Sequence, residues 1–112
     1  MTKLSKTEKA KRKHLKAWVA NMGGELFSFP DSDLVMCLVP AINSDRCRFI
    51  RVAVSMCSDT DTFTRKRGEL IAMERMAEGI SFAVPGTLAT MAKAASEIEA
   101  MVMACETIRD YS

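Results

Sequence analysis

The 112-residue chain is short of the residues that most often carry chemistry. It has one histidine, one tryptophan and one tyrosine, and its four cysteines, at 37, 47, 57 and 105, form no Cys-x-x-Cys pair. With His14 as the lone imidazole, no Ser-His-Asp or Cys-His arrangement can be assembled around a second candidate. His14 itself stands in a lysine-rich helical stretch, where it reads as a surface or boundary residue rather than a general base. The lack of paired cysteines and further histidines removes zinc-ribbon, zinc-finger and dithiol redox readings, so no metal and no cofactor are expected. No apolar run approaches the roughly 20 residues of a membrane helix, and the lysine-rich first residues have no apolar block behind them. The expected setting is a reduced cytoplasmic compartment, with no membrane partner. No repeat or low-complexity tract interrupts the chain.

What is present is an ordinary globular composition with an uneven charge layout. The chain is 48% apolar and 27% charged, with a net charge of +2. The first sixteen residues, however, hold Lys3, Lys6, Lys9, Lys11, Arg12, Lys13 and Lys16 against Glu8 alone. A second basic concentration follows at Arg46, Arg48, Arg51, Arg65, Lys66 and Arg67, interrupted by Asp45, Asp59 and Asp61. Positive charge gathered at two places suits one anionic partner surface, and equally a solubilising tail and a solvated helix.

Periodicity predicts an α+β fold. From Ser5 to Met22 there is no proline or glycine, and Leu15, Trp18, Val19 and Met22 follow the spacing of one helical face. Gly23-Gly24 ends this basic helix. Three segments then read as an antiparallel meander joined by the turns Pro30-Asp31-Ser32-Asp33 and Asn43-Ser44-Asp45: Glu25 to Phe29, the apolar run Leu34 to Pro40, and Cys47 to Cys57 with Ile50, Val52, Val54 and Met56 on one face. Phe63 to Glu78 reads as a middle helix with Phe63, Leu70, Met73 and Ala77 inward, and Gly79 stops it. Ile80 to Val84 is a candidate fourth short strand. A long C-terminal helix over 87–109 repeats apolar residues at Leu88, Met91, Ala95, Ile98, Val102 and Cys105. The expected organisation is a basic arm over 1–12 and one α+β domain over 13–112.

Ligand binding is expected at the start of the middle helix. Free N–H groups and the helix dipole attract anions there, and Thr64, Arg65, Lys66 and Arg67 would add hydrogen bonds that suit phosphate. Asp59 and Asp61 could instead neutralise these cations, and Asp59-Thr60-Asp61 could hold a divalent ion, though such a turn is more often a helix cap. Gly68, about 1 kcal/mol worse than alanine inside a helix, signals close approach by another backbone or a ligand. Arg46, Arg48 and Arg51 complete the expected ligand set, with Lys9, Lys11, Arg12, Lys13 and Lys16 as auxiliary polyanion contacts. Phe49, Phe63 and Phe82 would stack on a base if exposed and are core residues otherwise.

The order helix, three strands, helix over residues 5 to 78, with a basic cluster where the second helix begins, is similar to that of double-stranded RNA-binding domains. The resemblance implies a phosphate grip by that cluster, for which Arg65, Lys66 and Arg67 are the matching positions. The family's Gly-Pro-x-His turn is replaced here by Pro30-Asp31-Ser32-Asp33, whose carboxylates would repel a minor groove. The resemblance is therefore one of element order.

The functional expectation is a small non-catalytic protein, not an enzyme, that binds an anionic nucleic-acid or nucleotide ligand. Small size and compact basic patches also suit a counter-defence or regulatory accessory of a phage or mobile element. The alternative is a protein-interaction or inhibitor module acting through the C-terminal helix and the methionine-rich surface of Met73, Met76, Met91, Met101 and Met103. A homodimer or higher oligomer is expected through Met91, Ala95, Ile98, Val102 and Cys105, because a small sheet covers only one side of so wide a stripe. The competing expectation is that the first helix covers the second flank and leaves a monomer.

Overall fold

The computed structural model describes residues 4–56, 65–86 and 90–111, with backbone only for 105–111. The expected α+β architecture is found: helix α1 (Lys6–Asn21), strands β1 (Glu25–Phe29), β2 (Leu34–Ile42) and β3 (Arg48–Met56), helix α2 (Arg65–Ala77), a fourth strand β4 (Phe82–Pro85) and helix α3 (Met91–Tyr111). The four strands form one antiparallel sheet in sequence order, a meander to which β4 adds an edge. Thr64, Phe63 and the Asp59-Thr60-Asp61 turn lie outside the described residues.

β2 organises the molecule. Its residues Leu34, Val35, Met36, Cys37, Leu38 and Val39 are all buried, which means that both faces of the strand are covered. An apolar run without alternation demands this, since either face left in water would forfeit about 1.5–3 kcal/mol per large side chain. Val35, Cys37 and Val39, with Ala53 of β3, meet α1 through Leu15, Trp18 and Val19 and α2 through Ala72, Met73 and Met76. Leu34, Met36 and Leu38, with Ile50 and Val52 of β3, meet α3 through Met91, Ala95 and Ile98. The register agrees: Cys37 is opposite Ala53 and Leu38 opposite Val52.

The helices begin and end where local chemistry directs. At α1, Ser5 Oγ accepts from the Glu8 N–H at 3.1 Å while Glu8 Oε1 accepts from the Ser5 N–H at 3.0 Å, a reciprocal capping box. Its exit turns through Gly23 at φ 74, a conformation that costs glycine little. α1 runs unbroken across residue 12, the expected arm boundary, and Leu4 ahead of it is buried.

α2 crosses the sheet from the β1 edge to β3. Gly68 sits on Val35, and the Arg75 guanidinium donates to the Val54 carbonyl at 2.7 Å. The close approach expected at Gly68 is thus to a β2 side chain. Leu70 and Met73 face inward as expected. Ala77 is exposed, and the buried positions are instead Gly68, Glu69, Ala72 and Met76. α3 is tied to the β1–β2 turn by Ser32 Oγ, which donates to Glu99 Oε2 at 2.6 Å. Among the described residues, no helix is long and apolar enough to cross a membrane.

A Cβ at residue 68 would lie 2.6 Å from Val35 Cγ2, a stiff branched side chain in the core. Gly68→Ala should therefore lower stability by about 1–2 kcal/mol despite its better helix propensity. Equilibrium urea unfolding measures this, and a stabilised variant would show that the helix–sheet contact gives way freely.

Candidate functional site

Among the described basic residues, Lys11, Arg12, Arg65 and Arg67 join α1 to α2. In the seam, the Glu69 side chain is only 5% exposed and lies between two arginines. Arg12 donates to Glu69 Oε1 from Nε at 2.9 Å and from a terminal nitrogen at 2.5 Å, and Arg65 Nε lies 3.4 Å from Glu69 Oε2. Glu8 takes the two terminal nitrogens of Arg67, one on each oxygen, both at 3.2 Å. Lys11 Nζ pairs with Glu74 Oε2 at 2.5 Å, which raises the Lys11 pKa. The Ser5 N–H and then Arg67 hold the Glu8 carboxyl below its ordinary pKa.

Four of the expected ligand cations, Lys11, Arg12, Arg65 and Arg67, are therefore engaged from within by three carboxylates, Glu8, Glu69 and Glu74. A buried carboxylate between two guanidinium groups is stable only while its partners stay, because an unpaired charge there loses hydration without compensation.

The remaining expected ligand residues do not converge. Arg48 and Ile42 face each other near the tip of the β2–β3 hairpin, whereas α2 rests on Val35, seven residues or about 23 Å away along β2. Arg46 lies in the hairpin turn at φ 63, and both Arg46 and Arg48 are exposed. Arg51, on the sheet face covered by α1 and α2, donates to Ser81 Oγ at 3.1 Å. Lys66 is exposed at the beginning of α2. A cleft of about 280 Å³ between α1, β1 and α2 brings Lys16 and Arg65 together, but Glu25 and Glu69 line it too and balance its charge.

The outward face of α1 is different. Lys6, Lys9, Lys13 and Lys16 are all exposed, and none has an ion-pair partner among the described residues. At 100° per residue the four fall within an arc of about 80°, and they span about 15 Å of helix. Lys6 was absent from the expected contacts, yet the 3-4-3 spacing of these lysines was readable in the sequence.

Of the residues expected at an oligomer seam, Met91, Ala95 and Ile98 are buried within the subunit and Val102 packs beside them. The Cys105 side chain lies outside the described residues. α1 does not cover the second flank of α3 either, since the two helices lie on opposite faces of the sheet. Met101 and Met103 are exposed.

Comparison with protein-family models, curated proteins and solved structures gives no match. The likeness to double-stranded RNA-binding domains thus stays one of element order, and Arg65 and Arg67, two of its matching positions, are engaged by Glu69 and Glu8. Among the described residues no group of three or more histidine, cysteine, aspartate or glutamate side chains forms a metal-ligand set. Burial pushes the Cys37 thiol up to about 12, which keeps it protonated and a poor nucleophile.

Arg12→Ala should cost about 3 kcal/mol in urea unfolding, because it removes both close donors of the buried Glu69 carboxylate and leaves it only the longer Arg65 contact. Deleting residues 1–12 should be at least as damaging, and a truncated chain of unchanged stability would show that the seam contributes nothing. The depressed Glu8 pKa means that its contribution is complete above 4.5 and is lost as pH falls through the folded-state value. Glu8→Gln should therefore flatten the loss of stability measured below pH 4.5.

Proposed function

We propose that this protein binds the backbone of a nucleic acid through the outward face of α1, and that it acts by binding rather than by catalysing a reaction. The observation that carries the reading is the disposition of charge on that helix. Glu8, its one acid, is turned into the seam with α2, while Lys6, Lys9 and Lys13 stand clear of it and Lys16 lies at the rim of the cleft beside α2. Successive lysines rise by about 4.5–6 Å, so a rigid rod offers several ammonium groups to a line of phosphates. An anion lying along these lysines would offset the part of their mutual repulsion that solvent does not screen. Lys66 and the guanidinium of Arg65, 65% exposed, extend the basic surface toward α2.

This site differs from the mid-chain cluster that the sequence favoured. The lysines expected as an auxiliary arm become the main contact, and Arg65 and Arg67 become chiefly structural. Lys11 and Arg12, expected as auxiliary contacts, belong to the seam.

A second reading is favoured by Met101 and Met103, exposed on α3 beyond its last buried residue. They offer an apolar surface to a protein partner or to a second copy of the chain.

Four phosphate contacts predict a slope of log affinity against log salt of about −3.6 on duplex DNA. Replacing Lys9, Lys13 and Lys16 by glutamine should bring the slope to about −1 and leave thermal stability nearly unchanged. Fluorescence anisotropy across a salt series measures both. Absence of salt-dependent binding, or an unaltered slope in the variant, would reject the α1 reading; salt-insensitive capture of a protein lost in Met101→Glu would favour the second.

A further inference from the structure

We infer that the outer edge of β1 is an interface at which two copies of this protein join antiparallel, Leu26 of one pairing with Ser28 of the other, to make one continuous sheet. Such a pairing is independent of what α1 binds.

Two prolines fix which backbone groups point outward. In an antiparallel pair, directly opposed residues alternate between exchanging both N–H···O bonds and exchanging none. Pro40 stands opposite Ile50 and has no N–H to give, so the two form a pair of the second kind. Alternation then turns the backbone groups of Leu34, Met36 and Leu38 away from β3 and toward Phe29, Phe27 and Glu25 of β1. Three observations agree. A Cβ at residue 24 would lie 2.7 Å from the Leu38 oxygen, which places that carbonyl on the β1 side. Pro85, opposite Phe49, falls on another pair without ladder bonds, and the Val54 carbonyl, directed away from β2, is taken by Arg75. The N–H and C=O groups of Leu26 and Ser28 therefore point off the edge of the sheet. Among the described residues, β1 pairs only with β2, and these four groups have no partner.

β1 lacks the devices that usually blunt an edge. Its five residues include no proline and no lysine, and its one charge, Glu25, stands at the end. The opposite side of the sheet carries both Arg75 and Pro85. The cleft between α1, β1 and α2 reaches Glu25 and Leu26, so the helical layer leaves the beginning of the strand open.

A second copy fits this edge because the two open residues lie two apart. With the chains antiparallel, Leu26 meets Ser28 of the second copy and Ser28 meets its Leu26, so every outward group finds a partner. Sliding one chain by two residues would oppose Ser28 to Gly24, whose N–H is held by the Val19 carbonyl, or Leu26 to Pro30, which has none. In the matched alignment Phe27 faces its own copy across the two-fold axis, in the close type of pair where aromatic side chains stabilise a sheet. Glu25 faces Phe29 of the second copy, which keeps the two carboxylates apart. The axis is perpendicular to the sheet, so both α1 helices lie on one side of the particle. The guarded strands fall at its two far ends, which closes the assembly at two chains.

The test combines light scattering with amide hydrogen exchange followed by NMR. Wild type at sub-millimolar concentration should have twice the 12.4 kDa mass of one chain. Its Leu26 and Ser28 amides should exchange about tenfold more slowly, or slower still, than in dilute solution. The Phe27 amide, bonded to β2 in either state, is the internal control. Ser28→Pro removes an outward N–H and no bond to β2, so it should restore the monomer mass with an unchanged circular dichroism spectrum. Phe27→Cys should give, on air oxidation, a disulfide joining residue 27 to residue 27, since Cα atoms in a pair of this type lie about 4.5 Å apart. A chain that stays at 12.4 kDa overturns the interface. So does a dimer whose Leu26 and Ser28 amides exchange as fast as in dilute solution, or one dispersed by Met101→Glu and not by Ser28→Pro. If Ser28→Pro does not fold, slowed exchange in the wild type together with the residue 27 cross-link upholds the interface, and the lack of either overturns it.

Discussion

The six buried residues of β2 constrain everything else in this molecule. Antiparallel sheets commonly leave one face to water, but a strand with Leu34, Met36 and Leu38 on one side and Val35, Cys37 and Val39 on the other cannot. One layer of cover comes from α3 and the other from α1 and α2. The second requirement has an electrostatic cost, because α1 is the most basic segment of the chain. Docking it beside α2 brings Arg12 and Lys11 against the sheet's helical layer, and they are accommodated only because Glu69 and Glu74 meet them there.

That accommodation sorts the cations of α1 by direction. Those on the docking side are matched by carboxylates; those on the far side are left to the solvent. The proposed binding face is thus a by-product of how the core is closed, and it is presented on a helix whose orientation is fixed by an internal ion triad. A flexible basic tail with the same composition would lose chain entropy on meeting a ligand, whereas lysines already set on a packed helix lose only side-chain freedom.

The fold was legible in the sequence where one pattern dominated. The boundaries of β1, and the sharing of one face by Ile50 and Val52, follow directly from alternation, and α3 was marked by its apolar repeat. The use of that repeat was not legible. Met91, Ala95 and Ile98 look like a seam between helices, yet β2 and β3 supply their partners. A linear pattern shows that a stripe must be covered and says nothing of what covers it. The cationic cluster misled for a similar reason. Asp59 and Asp61 are near Arg65 and Arg67 in sequence, but it is Glu8, 59 residues away, that meets Arg67. Glu69 was close in sequence, but its burial depends on α1 crossing above it. The lysine spacing on α1 was visible throughout, and only the inward turn of Glu8 reveals that those lysines stand alone.

Arg75 has a bearing on how the chain avoids growing into fibres. β4 pairs only with residues 49–52 of β3, so among the described residues the end of β3 past Val52 has β2 on one side and no strand on the other. A bare backbone edge in a β-rich protein is a template for another chain. The Arg75 guanidinium occupies the Val54 carbonyl there, and its charge would be desolvated by any strand that tried to dock. Pro85, which lacks an N–H, closes the last position of the outer strand. One side chain and one imino acid thus hinder strand addition on this side of the sheet.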